Sequence, residues 1–293
     1  MGQQQKNSFE KDKIGIRPKT KILSIITTSF FTVLGLIVVF PFVAAVLASF
    51  RPGQELIRYG LSIKLNFAGM TLNNYIYLFT GEHSYFMWFK NSMVLTLLSV
   101  ALTLMICYFV AYGLSMYEFK FKNLLFFLVI ATMMVPFEIL MLPLYQEMID
   151  LKLINTTAGV ILPGLCGAST IFFFKQYMSG LPKELLDAGR IDGATEFGIC
   201  IKIMLPITKP AFAAMAILSS MGAWNSMLWP LLVFRDASKF TLPIGLNTLL
   251  TPYGNNYDLL IAGSCFAILP IFILFLCFQS YFIDGMTAGA VKG

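Results

Sequence analysis

Six long apolar runs constrain this chain more than any other feature of its sequence. They occupy residues 22–48, 92–116, 124–144, 157–177, 207–233 and 259–283. Each is long enough to cross the hydrocarbon core of a bilayer, which is roughly 30 Å thick. Because lipid offers no hydrogen-bonding partners, a crossing segment must satisfy its own backbone groups as an α-helix. The sequence therefore predicts an all-α integral membrane protein, a bundle of six transmembrane helices.

The composition supports a membrane chain and argues against an enzyme. Hydrophobic residues make up 57% of the sequence, charged residues make up 12%, and the mean hydropathy is +0.76, unlike a soluble domain. The five cysteines show no C-x-x-C spacing, and the one histidine, His83, has no neighbouring residues for metal or acid–base chemistry. The sequence lacks the G-x-x-x-x-G-K-[ST] motif, whose backbone amides and lysine bind the phosphates of ATP. We expect a transport subunit without catalytic residues, a metal site or a cofactor of its own.

Basic residues are distributed unequally between the two sides of the predicted bundle. Six spans place both termini on one side, which carries fourteen of the 21 Lys and Arg residues, against seven on the other. The positive-inside rule makes the termini cytoplasmic. The net charge of +6 reflects this asymmetry and the attraction of basic residues to anionic membrane lipid. Nucleic acid is not an expected partner, because the basic residues are scattered and not interleaved with exposed aromatic residues.

The spans divide the chain into four parts. Residues 1–21 form a cytoplasmic tail, residues 22–90 the first transmembrane helix with an external loop, residues 91–283 a core of five transmembrane helices, and residues 284–293 a second cytoplasmic tail. Within the core, residues 178–209 form a cytoplasmic loop.

The segment from residue 181 to 210, LPKELLDAGRIDGATEFGICIKIMLPITKP, is the most polar stretch between two long apolar runs. The positions of its proline and glycine residues predict two short helices that meet at a bend. Pro182 suits the first turn of one helix, Gly193 breaks the pattern, and Asp192 is available to cap the next turn.

The predicted helix before Gly193 has two faces. Leu185, Leu186 and Ile191 fall near one apolar face. On the opposite face lie charged residues spaced by three, namely Glu184, Asp187 and Arg190.

The 181–210 segment resembles a known family. It reproduces the spacing of the EAA signature of binding-protein-dependent ABC importer permeases. The matching residues are Asp187-Ala188-Gly189, Gly193 after three further residues, Ile203 after nine more, and then Leu205-Pro206. Asp187 replaces the family's Glu and keeps its charge. Gly189 replaces the second Ala, and we expect it to loosen the helix by about 1 kcal/mol. From the pattern alone an ordinary amphipathic loop is equally compatible, but the cytoplasmic location favours the family.

The resemblance extends over roughly residues 15–293. The stretches GAWNSMLWPLLV and FTLPIGL and the tail DGMTAGAVKG are similar to the MalG-type subunit of carbohydrate uptake permeases. It implies the MetI-like, six-helix bundle of a type I ABC importer permease in a prokaryotic plasma membrane, and import of a sugar, in particular an oligosaccharide. The implied partners are a MalF-type permease subunit, two ATP-binding subunits that hold ATP and Mg²⁺, and an extracytoplasmic solute-binding protein.

The resemblance also assigns roles to two groups of residues. The short helices of the signature form a coupling helix that docks in a groove of an ATPase, which here implies Glu184, Asp187, Ala188, Gly189, Arg190, Asp192, Gly193 and Ala194. The external loop before the last span contacts the binding protein, which here implies Thr251, Pro252, Tyr253, Gly254, Asn255 and Asn256. In the family the C-terminal tail, here residues 287–292, reaches between the ATPases.

Four polar or aromatic residues in the spans are candidates for the substrate path. Glu138 is the only acid in a predicted span. A carboxylate within the membrane is expected to face water or line a path. Alternatively, Pro136 and Pro143 end the helix near the outer interface, and the Glu138 carboxylate is simply solvated. The other candidates combine stacking surface with an amide, as sugar binding requires, and are Trp224, Asn225 and Trp229. Hydrogen bonding between helices is an equal alternative for the asparagine.

Two other classes of function remain open from the residues. An ion-coupled secondary transporter or channel subunit would need intramembrane acids, and Glu138 alone is available. A passive membrane scaffold would need no substrate site.

Overall fold

The computed structural model describes residues 18–53, 69–81, 84–250 and 256–287, and this part of the chain is helical and contains no strand. In chain order the α-helices are α1 (Pro18–Ser49), α2 (Asn73–Thr80), α3 (Tyr85–Met116), α4 (Lys122–Met133), α5 (Phe137–Asp150), α6 (Thr157–Ile161), α7 (Ala168–Ser179), α8 (Glu184–Ile191), α9 (Glu196–Ile199), α10 (Leu205–Ile207), α11 (Lys209–Trp224), α12 (Leu228–Val233), α13 (Leu242–Thr248) and α14 (Tyr257–Thr287). Residues Cys200–Met204 form a π-helical turn between α9 and α10.

The chain divides into two compact units, Met1–Thr71 and Leu72–Gly293. In the first unit, α1 is a single helix of 32 residues that begins at Pro18, where a proline costs no hydrogen bond. Its side chains from Ile22 to Val43 are exposed almost throughout, as expected of a helix that meets lipid or another apolar surface.

The second unit contains two uninterrupted long apolar helices, α3 and α14, and three bent pairs. The structure has three helices that are long and apolar enough to cross a membrane, α1 included, and up to six spans if each bent pair is one span. The bends measure 99° between α4 and α5, 46° between residues 157–164 and α7, and 74° between residues 196–207 and α11. The predicted all-α fold with six spans is confirmed. Three of the predicted runs are bent pairs of helices and not single uninterrupted helices.

The interruptions have local causes. At the first bend Pro136, with extended backbone, precedes α5, because a proline lacks the amide that would continue α4 and disfavours helical geometry in the residue before it. Pro143, in contrast, lies inside α5 and does not end it. In the run 207–233, α11 stops at Trp224 and α12 starts at Leu228, so this run is also broken.

A buried apolar cluster joins the transmembrane helices to the 181–210 segment. Tyr108 of α3 and Phe174 and Met178 of α7 are fully buried at its centre. Leu186 of α8 and Ile199 at the end of α9 belong to the same cluster. The 181–210 segment is therefore packed into the core of the bundle and is not a separate loop.

Candidate functional site

The bend predicted at Gly193 is confirmed and has the geometry of a Schellman motif. The amide of Gly193 donates to the carbonyl of Arg190 at 3.0 Å, and the amide of Ala194 donates to that of Gly189 at 2.9 Å. Gly193 adopts φ +76°, a left-handed conformation that favours glycine because it has no Cβ. The end of α8 is thus closed by hydrogen bonds that fix the direction of the chain toward α9.

The cap of the second short helix is Thr195, not Asp192 as predicted. The Thr195 hydroxyl accepts a hydrogen bond from the amide of Gly198 at 3.1 Å. Asp192 is instead the C-terminal cap residue of α8. The Schellman turn extends the connection through Ala194, so α9 starts later than the sequence pattern indicates.

The apolar face of α8 differs from the predicted one at one position. Leu186 is buried and Leu185 is half-buried, as predicted, but the exposed fraction of Ile191 is 86%. Ile191 is five positions after Leu186, and at 3.6 residues per turn this offset rotates it away from the buried face. Phe197 of α9 is also exposed, with one ring face stacked on Phe109.

Gly189 is the point of closest approach between α8 and the chain that follows the bend. A Cβ atom at this position would lie 2.8 Å from side-chain atoms of both Ile199 and Ile203. The predicted loosening of α8 by this glycine is therefore offset by tighter packing. The contacting atom of Ile203 is the end of its side chain, whereas that of the buried Ile199 is Cγ1, close to its backbone, so both isoleucines must shift to accommodate an alanine.

Arg190 connects α8 to α9. Its guanidinium donates to both carboxylate oxygens of Glu196, at 2.7 and 3.2 Å, and to Asp187 at 3.0 Å. The Tyr117 hydroxyl, just beyond the end of α3, donates to Glu196 at 2.6 Å. The bonds from Arg190 and then Tyr117 hold the pKa of Glu196 below its ordinary value, so the carboxylate stays ionised at neutral pH.

A second ionic contact ties the start of the segment to the end of α3. Glu118 accepts hydrogen bonds from Lys183 at 2.7 Å and from Lys122 at 3.1 Å. These two bonds lower the pKa of Glu118. All three side chains are outside the predicted spans, at the same end of the bundle as Arg190.

The π-helical turn is anchored to α3 from inside the bundle. The buried Tyr108 hydroxyl donates to the carbonyl of Cys200 at 2.9 Å. A π-helical turn shifts the register of backbone hydrogen bonds, and here a side chain from another helix binds one of its carbonyls. Sequence reasoning missed Tyr108 and Tyr117, because nothing in an all-apolar helix indicates which tyrosine faces a distant segment.

The predicted coupling residues therefore separate into two sets. Arg190 and Asp187 are bonded within the chain, and Gly189 is buried. The others are exposed on the surface around the bend, namely Glu184, Ala188, Asp192, Gly193 and Ala194. Ile191 and Phe197 add large apolar groups to this surface, so it is less acidic and more apolar than the sequence indicated.

The substrate-path candidates do not converge. Trp229 is buried and lines a cavity of about 310 Å³ among α3, α6, α7 and α11. The indole N–H of Trp224 instead donates to Ala267 of α14 at 3.1 Å, and its ring packs on Phe89 outside this cavity. Asn225 is the C-terminal cap residue of α11 and donates to Met221 at 2.9 Å.

Glu138 is exposed in the first turn of α5, immediately after the break at Pro136. An acid in a first turn is favoured by the partial positive charge of the helix N-terminus. This position fits the alternative in which a proline ends the preceding helix and leaves the carboxylate solvated.

Most residues predicted to contact a binding protein, Thr251 to Asn255, lie outside the described residues. Asn256 is described, and its side-chain oxygen accepts from the amide of Leu259 at 3.2 Å, at the start of α14. The tails 1–17 and 288–293 are likewise outside the described ranges.

Comparisons with known proteins agree with this architecture. Residues 104–288 match the family described as "Binding-protein-dependent transport system inner membrane component". The chain is 53% identical over 277 residues to the arabinooligosaccharides transport system permease protein AraQ of Halalkalibacterium halodurans, covering 94% of this chain and 99% of that protein. It is 51% identical over 276 residues to AraQ of Bacillus subtilis, covering 94% and 98%.

A solved structure shares the fold. The chain matches a chain of a bacterial ABC transporter involved in the import of the acidic polysaccharide alginate with a TM-score of 0.78 at 20% identity. The match covers 90% of this chain and 98% of the other.

Proposed function

The chain belongs to the family of binding-protein-dependent transport system inner membrane components, and we propose that it is the permease subunit of an ATP-driven sugar importer. The relatives named for arabinooligosaccharide transport support an oligosaccharide as the cargo. In this proposal the chain crosses the plasma membrane with both termini in the cytoplasm. The ATP and Mg²⁺ are bound by partner subunits.

The observation that carries the proposal is that the 181–210 segment is bonded within itself and packed into the core of the bundle. Its bend is closed by the Schellman turn at Gly193, and its two short helices are bridged by Arg190. Leu186 and Ile199 pack in the same buried cluster as α3, α7 and α11. A displacement applied to this segment is therefore transmitted to transmembrane helices, as a coupling element requires.

The exposed surface of the segment supplies the contact for an ATPase. Ile191 and Phe197 are large exposed apolar groups on the same segment as the exposed acids Glu184 and Asp192. Apolar anchors with a charged rim are typical of protein interfaces. Closure of two ATPase subunits upon ATP binding would then draw this segment and its counterpart in a MalF-type subunit together and convert the bundle between its two access states.

The remaining partners follow from the same family. A MalF-type subunit completes a heterodimeric pathway, and an extracytoplasmic solute-binding protein delivers the sugar to the external loop at residues 249–258. The C-terminal tail reaches between the ATPases.

The test is reconstitution of the chain with its permease partner, ATPases and binding protein in liposomes. We expect uptake of labelled arabinotriose that requires both ATP and the binding protein. The matched control replaces ATP with a non-hydrolysable analogue, which should abolish uptake. Uptake driven by an ion gradient without ATP would overturn the proposal in favour of an ion-coupled secondary transporter or channel, and binding of the partners without any uptake would favour a scaffold.

A further inference from the structure

The cavity beside Trp229 is built from the helices that also carry the core of the bundle. Its volume is about 310 Å³, at the lower end of the range for small-molecule sites. The Trp229 ring and Phe137 form an aromatic corner, with ring centroids 5.9 Å apart and planes at 85°. Gly164 and Gly222 also line it, and a Cβ added at either glycine would meet no atom within 4 Å.

Polar groups in the cavity wall are left without protein partners. Trp229 is 5% exposed, and its indole N–H is buried without a hydrogen-bond acceptor. Thr170 is 4% exposed, and its hydroxyl makes no hydrogen bond to any described residue. Four further residues that line the cavity are half-buried, and their hydroxyls likewise make no hydrogen bond to a described residue, namely Ser99, Thr103, Ser219 and Ser226.

Unsatisfied groups of this kind are uncommon in buried positions, because each costs about 1–3 kcal/mol when no partner is present. Near the 181–210 segment, the buried Tyr108 hydroxyl and Thr208 hydroxyl both donate to backbone carbonyls. Buried hydroxyls without a partner also occur elsewhere in the bundle, at Thr96 and Thr241, but at the cavity the buried indole N–H of Trp229 lies together with five hydroxyls that make no hydrogen bond to a described residue.

The cavity wall carries no charge. Among the described residues, those that line it are apolar, aromatic, glycine, proline, serine or threonine. Hydroxyls and an indole N–H can pair with the hydroxyls of a sugar, and an aromatic face can pack on the C–H groups of a sugar ring. A carboxylate or phosphate in this cavity would lose hydration without meeting a cation.

We propose that this cavity is a subsite for one uncharged sugar unit, with Trp229 as its aromatic wall and the serine and threonine hydroxyls as its polar contacts. The proposal rests on the importer function above and deepens it, because it assigns substrate contact to this chain and selects neutral over acidic sugars. It replaces the cluster expected from sequence, since Trp224 and Asn225 make other contacts.

The first test replaces Gly222, which lines the cavity, with a residue whose side chain would occupy it. Gly222→Leu places a side chain in empty space, and leucine favours a helix more than glycine does, so the fold should be retained. We expect arabinotriose uptake by the reconstituted complex to fall by about tenfold or more, while ATP hydrolysis stimulated by the binding protein persists. The matched control is Gly113→Leu, because a Cβ at Gly113 also meets no atom within 4 Å but faces a different, apolar groove.

The second test removes one hydroxyl at a time. Ser219→Ala should raise the arabinotriose concentration for half-maximal uptake by about three- to tenfold, which corresponds to loss of one hydrogen bond. Ser220→Ala, on the next residue of α11 but outside the cavity lining, should leave it unchanged. Equal effects of the two substitutions, or unaltered uptake in Gly222→Leu, would overturn the subsite.

Comparison of sugars separates failure of the subsite from failure of the importer function. Wild-type uptake of arabinotriose but not trigalacturonate is the expected result. Equal uptake of both would overturn the selection for neutral sugars and leave the importer function standing. No ATP-dependent uptake of either sugar would refute the importer function and the subsite with it.

Discussion

The 181–210 segment and the cavity beside Trp229 treat their polar groups in opposite ways. In the segment, Arg190 is bonded to two carboxylates and the π-helical carbonyl of Cys200 is bonded to Tyr108. In the cavity, the indole N–H of Trp229 and several hydroxyls have no partner among the described residues. This difference is the one expected if, as proposed, the segment transmits a displacement and the cavity receives a ligand, because a ligand site needs hydrogen-bonding groups that the chain itself does not occupy.

The same contrast is visible in the backbone. The bend at Gly193 is fixed by two cross-turn hydrogen bonds and a left-handed residue, so its angle is defined by the chain itself. The helices around the cavity are interrupted instead, at Pro136 and after Trp224. Helix breaks expose backbone groups and allow bending. These properties suit a substrate path better than a segment that must keep a fixed angle.

The largest expected effect comes from breaking the bend. Gly193→Val forces a β-branched residue into φ +76°, a conformation that costs about 1–3 kcal/mol and favours another chain direction. We expect transport-coupled ATP hydrolysis to fall by about tenfold or more, with the complex still assembled, measured on the purified complex in liposomes. Gly193→Asn is the control and should retain most of the activity, because asparagine tolerates this conformation. Wild-type coupling in the valine variant would show that the bend angle is not important.

A second prediction compares the stability lost on removing a hydroxyl that makes a hydrogen bond with that lost on removing a cavity hydroxyl that makes none. Tyr108→Phe removes the bond to Cys200 and should lower the stability of the purified complex by about 1 kcal/mol. Thr103→Val removes a cavity hydroxyl without a partner and keeps the shape, so thermal unfolding should be unchanged or slightly raised. Equal melting temperatures for the two variants would contradict the contrast between the two regions.

A third prediction concerns the bridge between α8 and α9. Arg190→Met removes the bonds to Asp187 and Glu196 but keeps an unbranched apolar stem. Since these groups are exposed, we expect little change in thermal unfolding and a loss of coupled ATP hydrolysis of less than about tenfold. Arg190→Lys, which cannot bind Glu196 through two nitrogens, should lie between the wild type and Arg190→Met. A coupled rate in Arg190→Met equal to that of the wild type would refute the role of the bridge.

The smallest effect is expected at Gly189. Gly189→Ala gains helix propensity of about 1 kcal/mol but brings a Cβ against Ile199 and Ile203, so the two contributions largely cancel. The melting temperature and the coupled rate should both stay close to the wild-type values. Gly189→Val is the contrasting variant, because its branched side chain cannot be accommodated by a small shift, and it should lower the melting temperature clearly. A stabilised valine variant would show that α8 is not closely packed here.

Local patterns in the sequence gave the family and the bend, but they misplaced several contacts near it. The spacing from Asp187 to Pro206 predicted the family, and the match over residues 104–288 confirms it. Gly193 was identified as the bend because glycine interrupts a helical pattern. Asp192 was assigned wrongly because the Schellman turn lengthens the connection to α9, and Ile191 was assigned wrongly because its position in the helix turns it away from the buried face of α8.

The sequence by itself determined how many apolar segments cross the membrane, where the polar loop lies between them and which family they form, because hydropathy and residue spacing are local along the chain. Only the tertiary structure decided which side chains meet. Tyr108 and Cys200 are 92 residues apart, and Tyr117 and Glu196 are 79 apart. In helices that are apolar on every side, periodicity does not indicate which face is buried, so the cavity wall and the contacts of Trp224 and Trp229 depend on how the helices pack.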